Sequence, residues 1–274
     1  MKTQRIKTSF LLLALQLFVL ISLQAQTNKS QNDSPENVST TVKNHKEKLT
    51  GYIEMNYYRH YLWRGAIWGN NDVSQPELHL DYGNFSFALC ANLNLLPKNL
   101  SSEYYKRKVI FDEQDIELGY QKTFGKLDFQ VLLWGYFYFN QINTPNTGEF
   151  YTKLEYPVWK NTKIFTENVI DFASYKGAYF NSSGIHFEKD IKNLLIEYKL
   201  FTGFANSKFN NAYYEINQPT LNFIGTSLNL EYSFKNNLYL AAKGEFNQYT
   251  SKEIKLSTGL NKTDNFSIYF GLEF

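Results

Sequence analysis

From residue 51 to residue 274 the chain is a series of short runs in which apolar and polar residues alternate. In Phe85–Leu95 the odd-numbered positions are Phe, Phe, Leu, Ala, Leu and Leu, and those between them are Ser, Ala, Cys, Asn and Asn. Leu221–Phe234 continues the pattern, with Leu228 between Ser227 and Asn229. Because successive side chains of a β-strand point to opposite faces, these runs predict strands with one apolar and one polar face. No stretch shows the 3.6-residue period of an amphipathic helix, so the sequence predicts an all-β fold.

The composition indicates which solvents the two faces meet. Aromatic residues make up 18% of the chain, yet its mean hydropathy is −0.42 and charged residues reach 20%. Many aromatic rings at low mean hydropathy are typical of a sheet with one face in lipid and the other in water. A soluble β-sandwich is the alternative, and cell fractionation would separate the two. The balance of 28 Lys and Arg against 26 Asp and Glu gives no indication of nucleic-acid binding.

Short turn signals alternate with longer polar links along the chain. The turn signals are Gly83-Asn84, Gly125-Lys126, Lys160-Asn161, Lys192-Asn193, Asn236-Asn237 and Asp264-Asn265. The longer links cover residues 66–75, 97–108, 141–147, 174–181 and 205–217. This pattern predicts a closed antiparallel up-and-down transmembrane β-barrel with its short turns on the periplasmic side. Our segmentation yields 13 strands, but bacterial single-chain barrels have even numbers, so we expect about 12 strands, with 14 as the alternative.

The first 25 residues differ from the rest. Lys2, Arg5 and Lys7 precede the apolar run Phe10–Leu23, and Ala25 offers a cleavage point. This arrangement predicts a secretory signal peptide over residues 1–25, followed by a flexible polar lead-in over residues 26–50 and the barrel over residues 51–274. An exported chain whose only cysteine is Cys90 has no internal disulfide.

The final strand supports a closed barrel. Apolar residues alternate along Phe266–Phe274, and such a strand would leave an aggregation-prone edge unless it paired with the first strand. The terminal Phe274 resembles the C-terminal signature of outer-membrane barrels, which implies the barrel assembly machinery as a partner. The stretches YLWRG (Tyr61–Gly65) and QPELHLDYGNFSFALCANLNL (Gln75–Leu95) resemble the start of the TorF-like porins, and the overall style is similar to exported proteins of Bacteroidota. The resemblance implies the outer membrane of a Gram-negative bacterium, surrounded by outer-membrane lipid. The oligomeric state stays open.

Acids and bases occur together on the faces that we expect to point inward. One interpretation is a small porin, in which opposed charges set a field across a passive path for small hydrophilic solutes. The other is a sealed barrel, structural or surface-interacting, whose interior charges pair with one another. The predicted lumen-lining residues are Glu54, His60, Arg64, Glu113, Asp115, Glu117, Lys153, Glu155, His186, Glu188, Glu197, Lys199, Glu231, Lys243 and Glu245. We expect Arg64 to pair with an interior carboxylate.

Catalytic and metal sites are less favoured by the sequence. His60, His79 and Ser86 could form a hydrolase site, but no nucleophile motif surrounds Ser86. His186, Glu188 and Asp190 share one strand face, yet no second group of ligands accompanies them in the sequence. We therefore predict no catalytic, cofactor or metal site. Cys90 is interpreted as a small filler on the inner face.

Aromatic residues near the predicted strand ends indicate interfacial girdles. In lipid-facing barrels, Trp and Tyr mark the two membrane–water boundaries. The residues assigned to these girdles, at strand ends or in mid-strand, are Tyr57, Tyr61, Trp63, Trp68, Trp134, Tyr136, Tyr138, Tyr151, Tyr156 and Trp159.

Overall fold

A computed structural model describes residues 48–69, 71–95, 109–139 and 144–274. The predicted signal peptide, nearly all of the predicted lead-in and the whole predicted link over residues 97–108 lie outside the described residues. The domain boundaries proposed from the sequence therefore stay predictions.

Strands dominate the described chain. In chain order they are β1 (Leu49–Tyr58), β2 (Tyr61–Trp63), β3 (Ala66–Gly69), β4 (Asp72–Tyr82), β5 (Phe85–Leu95), β6 (Val109–Phe124), β7 (Leu127–Tyr138), β8 (Thr147–Trp159), β9 (Thr162–Asp171), β10 (Tyr179–Ile191), β11 (Leu194–Ala205), β12 (Thr220–Ser233), β13 (Leu238–Tyr249) and β14 (Lys262–Glu273). Two helices are described, α1 (Ser207–Tyr214) and α2 (Lys252–Thr258).

Twelve antiparallel strands form a closed barrel, which confirms the predicted fold and the lower of the two strand numbers. β1 pairs with β4, each later strand pairs with the next, and β14 closes the cylinder against β1 through pairs such as Met55–Phe270. The strands β2 and β3 pair only with each other. The count of 13 from our segmentation was therefore wrong, and the expected number of 12 is confirmed.

Five tight turns join strands at one end of the barrel. Gly83 and Asn161 adopt positive φ angles of 61° and 62° there, which glycine and asparagine tolerate well. The sixth predicted turn, Asp264-Asn265, was wrong. These residues lie inside β14, where Asn265 pairs with Glu245, and the connection from β13 to β14 contains α2 instead.

The two helices contradict the expectation that residues 51–274 contain no helix. Each begins at a side-chain cap, since the Asn206 side chain accepts a hydrogen bond from the Phe209 N–H and the Ser251 side chain from the Ile254 N–H. With eight and seven residues, they are too short to show a clear 3.6-residue period in the sequence. Neither α1 nor α2 has the length and apolar character that a membrane span requires.

The outer surface of the barrel carries rows of large apolar side chains. Leu118, Ile164 and Phe270 are 55%, 48% and 52% exposed, and comparable side chains follow one another around the wall. Along the same strands the alternate positions turn to the inside and are mostly polar, as predicted from the alternation. A continuous apolar exterior of this kind would be unstable in water.

One region of the outer surface departs from this pattern. On β9 and β10, Thr166, Asn168, Asn181 and Ser183 face outward between apolar rows and bond to one another. The Asn181 Nδ2 donates to Thr166 Oγ1 at 3.0 Å and to Asn168 Oδ1 at 2.9 Å. The Ser183 hydroxyl donates to Thr166 Oγ1 at 2.9 Å. Mutual hydrogen bonding lowers the cost of placing these groups in an apolar surrounding.

A compact apolar core lies at the barrel end opposite the five tight turns. It joins Ala66 of β3 to Phe209 of α1, Ile254 of α2 and the inward side chains of Phe223 and Tyr249. The core therefore packs a hairpin and two helices against the inner wall of the barrel. Most of the expected aromatic girdle was wrong, because its residues face the barrel interior.

Only Tyr57, Tyr156 and Trp159 of the predicted girdle are exposed on the outside, by 39%, 44% and 82%. Three others lie on β2 and β3, which pack inside the barrel; these are Tyr61, Trp63 and Trp68. The remaining four lie on β7 and β8 and face inward like Glu149; these are Trp134, Tyr136, Tyr138 and Tyr151.

Candidate functional site: the narrowed barrel interior

The hairpin formed by β2 and β3 folds into the barrel. Its two central residues, Arg64 and Gly65, have φ angles of 49° and 82°, the left-handed pair that tight hairpins require. A Cβ at Gly65 would lie 2.3 Å from the ring of Phe223. Glycine is therefore needed at this position both for the backbone conformation and for the close approach to the wall.

A buried ion pair holds the tip of the hairpin. The Arg64 guanidinium donates to Glu149 of β8 through Nη1 at 2.6 Å and through Nη2 at 2.5 Å. The two side chains are only 10% and 3% exposed. The Tyr136 hydroxyl donates to the same carboxylate at 2.9 Å, and the guanidinium carbon lies 4.1 Å from the centre of the Trp63 ring. The predicted pairing of Arg64 with an interior carboxylate is thus confirmed.

The main-chain oxygens of the tip are bonded as well. The carbonyl of Gly65 accepts from the Tyr249 hydroxyl at 2.7 Å and from Thr263 Oγ1 at 3.2 Å. The carbonyl of Arg64 accepts from the Tyr214 hydroxyl of α1 at 3.4 Å. Residues of β8, β13, β14 and α1 therefore fix the position of the hairpin.

The hairpin separates two cavities. An outer cavity of about 500 Å³ is lined by Tyr61, Ala66 and Trp68 among others, and an inner one of about 360 Å³ by Tyr61, Trp63 and Arg64 among others. A third space of only about 10 Å³, which shares Tyr61 with both cavities, is here called the neck. The neck is lined by Tyr61, Trp63, Trp68, Glu113, Tyr138 and Tyr213. A space of this volume holds about one water molecule.

One wall of the interior is acidic. Glu54 of β1, Glu77 of β4 and Glu113, Asp115 and Glu117 of β6 share the inward phase. Neutral donors satisfy several of them: the Tyr239 hydroxyl donates to Glu54 at 2.6 Å and the Tyr52 hydroxyl to Glu77 at 2.7 Å, while the indole of Trp134 donates to Glu117. Because these partners carry no positive charge, the wall keeps a negative potential.

The facing wall combines lysines with carboxylates. The Lys153 ammonium lies 3.2 Å from Glu155, and the Lys243 ammonium lies 3.9 Å from Glu245. Lys199 also shares this inward phase. A field directed across the lumen follows from lysines on one side and unpaired acids on the other.

The structure distributes the predicted lumen-lining residues along these walls. Barrel strands carry Glu54, Glu113, Asp115, Glu117, Lys153, Glu155, His186, Glu188, Glu197, Lys199, Glu231, Lys243 and Glu245, and the hairpin carries Arg64. His60 lies instead in the bend between β1 and β2, where its main-chain N–H donates to Asn265 Oδ1 at 3.3 Å. Whether these residues line a conducting pore stays a prediction, as does the assembly role of Phe274.

The hydrolase grouping suggested by the sequence is not formed. His79 pairs with Tyr52 near the tight-turn end of the barrel, whereas His60 follows the opposite end of β1. At ~3.3 Å per residue, the six residues from Tyr52 to Tyr58 alone separate them by about 20 Å. His79 contacts Asp81 at 3.2 Å and stacks on Tyr52 at 4.9 Å. Cys90, on the inner face, is a free thiol.

Sequence reasoning missed several residues that build the interior. Glu149 shares the inward phase of Lys153 and Glu155, so continuing the alternation two rungs further would have found it. Tyr249 and Thr263 also lie on inward phases, of β13 and β14, but their contacts depend on where the hairpin is anchored, and Tyr213 lies on α1, outside the alternation.

Fold and interior together define a closed twelve-stranded β-barrel with an apolar exterior, a charged interior and an inserted hairpin. No family model matches the sequence, and no curated protein matches it either. Solved structures similar to this chain are outer-membrane β-barrels. A KdgM porin has a TM-score of 0.48 at 10% identity, covering 81% of this chain and 98% of that one. The outer membrane channel DcaP of Acinetobacter baumannii has a TM-score of 0.35 at 10% identity, covering 83% and 96%.

The outer membrane phospholipase A from Escherichia coli has a TM-score of 0.40 at 13% identity, covering 82% of this chain and 97% of that one. Since every one of these TM-scores is below 0.5, function has to be inferred from the residues of this chain.

Proposed function

We propose that this chain is an integral outer-membrane β-barrel that acts as a narrow channel for the passive diffusion of small hydrophilic solutes, with a preference for cations. The observation that carries the proposal is the charged interior, in which the acidic wall of β1, β4 and β6 faces the lysine-bearing wall of β8, β11 and β13. If every interior charge were paired with an opposite charge, a sealed barrel would explain the interior equally well. The unpaired excess of carboxylates favours a path for cations.

The membrane location is supported by the outer surface. Its rows of half-exposed Leu, Ile and Phe side chains match a lipid-facing wall, and a closed barrel satisfies every strand edge within lipid. The predicted signal peptide over residues 1–25 and the terminal Phe274 fit export to the outer membrane of a Gram-negative bacterium and insertion by the barrel assembly machinery. The likeness of residues 61–65 and 75–95 to TorF-like porins is in keeping with this function, and residues 61–65 belong to the constricting hairpin.

Conductance of the refolded protein in a planar lipid bilayer tests the proposal. We expect small, discrete current steps and a reversal potential that indicates cation preference in a salt gradient. Replacing Glu117, which lines the inner cavity, by Gln should move the reversal potential toward zero. The matched control is Asp264→Asn, which removes the same charge from the outward face of β14 and should leave the reversal potential unchanged.

A sealed barrel is the second candidate, and the neck of about 10 Å³ favours it. It predicts no current steps over many verified insertions of folded protein. That result would overturn the channel proposal and leave the structural or surface-interacting barrel as the function.

A further inference from the structure

His186 of β10 occupies an unusual position between two carboxylates. Its side chain is 5% exposed, its Nδ1 lies 3.1 Å from Glu155 Oε1 on β8, and its Nε2 lies 3.3 Å from Glu197 Oε1 on β11. A neutral imidazole has one N–H and one lone pair, so it can donate to only one of these oxygens. With the proton on Nδ1 toward Glu155, the buried Nε2 turns its lone pair toward the other carboxylate. This Nε2 atom is buried, and its 3.3 Å contact with Glu197 Oε1 lacks the angular geometry of a hydrogen bond.

The distance between the two facing acceptors suits a shared cation. In tetrahedral zinc sites the Zn–N and Zn–O bonds are ~2.0–2.2 Å, which places two ligand atoms about 3.3–3.5 Å apart. The observed separation of Nε2 and Oε1 is 3.3 Å. Without a cation or a second proton, two acceptors at this separation in a buried place would repel each other.

A third ligand is supplied by the strand register. Glu188 pairs directly with Glu197 across β10 and β11, and ligand atoms of His186, Glu188 and Glu197 all lie within 4.8 Å of one another. The alternation in the sequence places His186 and Glu188 on one strand face. It does not show that Glu197 of the neighbouring strand lies beside them, which the register of β10 with β11 brings about. Asp190, which the alternation also places near His186, is not in this group.

The contact between His186 Nδ1 and Glu155 resembles the contact that a metal-bound histidine makes through its other ring nitrogen. Histidines that bind a metal through one ring nitrogen usually donate the other N–H to a carboxylate, which fixes the tautomer and orients the ring. Nearby cations oppose a metal: the Lys163 ammonium lies 3.9 Å from both Glu155 and Glu188, and Lys153 contacts Glu155 at 3.2 Å. Lys199 pairs with His186 across the strands. Because these lysines compete for the same carboxylates, binding should be moderate rather than tight.

We propose that His186 Nε2, Glu188 and Glu197 form a binding site for a divalent transition metal of the zinc type on the inner wall of the barrel, with Glu155 as a positioning residue. The ligand set of one imidazole and two carboxylates suits Zn²⁺, with remaining positions open to water from the lumen. The site does not depend on whether the barrel conducts, since it needs only the register of β10 with its neighbours.

Titration calorimetry of the full barrel, refolded in detergent and stripped with a chelator, tests the site with Zn²⁺ as the probe. We expect saturable binding of one Zn²⁺ per chain and, with Co²⁺ in its place, visible absorption of a low-symmetry site. Glu197→Gln and His186→Ala should abolish both signals. Glu155→Gln should weaken Zn²⁺ binding about 10- to 100-fold while keeping the stoichiometry.

Asp190→Asn is the matched control, because it removes a carboxylate from the same strand face outside the ligand group. It should leave Zn²⁺ affinity unchanged. Circular dichroism of each variant shows whether the barrel has folded, and Glu188→Gln serves as a further ligand variant if another fails to fold. Absence of saturable binding to folded wild-type protein, or equal binding by Glu197→Gln, would overturn the assignment and leave His186 as an imidazolium shared by two carboxylates.

Discussion

The ion pair between Arg64 and Glu149 should control whether the hairpin stays seated in the barrel. Replacing Arg64 by Ala removes both hydrogen bonds to the carboxylate and leaves Glu149, among the described residues, with the Tyr136 hydroxyl as its hydrogen-bond partner. Both side chains are largely buried, at 10% and 3% exposure, so solvent cannot compensate the stranded charge. Breaking a buried pair in this way costs about 3–5 kcal/mol. At 1.4 kcal/mol per tenfold, the ratio of seated to unseated hairpin should fall roughly 10²- to 4 × 10³-fold.

The barrel itself should survive this change. Its strands are held by main-chain pairing around the complete cylinder, and the hairpin pairs only with itself. We therefore expect unchanged strand content by circular dichroism, faster proteolysis within residues 59–71, and a larger solute cut-off in liposome-swelling assays. Arg64→Lys keeps the charge but loses the two-pronged geometry, so it should give an intermediate result.

The double variant Arg64→Ala with Glu149→Ala separates a stranded charge from simple loss of contact. Because no unpaired buried charge remains, it should be less disruptive than Arg64→Ala alone. Equal protease protection and equal solute cut-off in wild type and Arg64→Ala would show that the ion pair does not hold the hairpin.

Two further predictions concern local backbone and charge. Gly65→Ala should unseat the hairpin, because its φ angle of 82° disfavours any side chain and a Cβ would lie 2.3 Å from the ring of Phe223. Gly244→Ala is the control, since a Cβ there meets nothing within 4 Å. Equal rates of proteolysis in the two variants would contradict the explanation. The pKa of Glu253 at the start of α2 is lowered by its own backbone N–H and by the Ser251 hydroxyl. A lowered pKa means that this carboxylate stabilises the folded loop at neutral pH and stops doing so as the pH falls through that lowered value, which carboxyl NMR titration would detect as a midpoint below that of an ordinary Glu.

The wall of the barrel was largely readable from the sequence. Strict alternation, as in Phe85–Leu95, fixes both the strand and the face of each residue, since a shift of one position would place every polar side chain in the apolar exterior. Turn residues such as Asn161 and Gly83 mark the tight-turn end because few residues tolerate their backbone conformation. These are local properties, so a single chain carries them.

The interior arrangement was not readable in the same way. Trp63 and Tyr138 look like girdle aromatics because an inward and an outward ring have the same sequence signature, and only the inserted hairpin decides between them. The approach of Glu197 to His186 likewise depends on the register between β10 and β11, which the alternation alone leaves open by steps of two residues. Short capped helices such as α1 form through packing of Phe209 into the core, a contact that no local pattern announces.

The carbonyl of Gly65 receives its hydrogen bonds from Tyr249 and Thr263, residues 184 and 198 positions further along the chain. Contacts of such large sequence separation close a long loop, which costs conformational entropy and makes them slow to form. An early segment is thus held in part by the final two strands, and a chain lacking them keeps the contacts of its tip with β8 and α1. Completion of the cylinder and full fixation of the hairpin are therefore coupled, so that an incompletely assembled molecule holds its constriction less firmly.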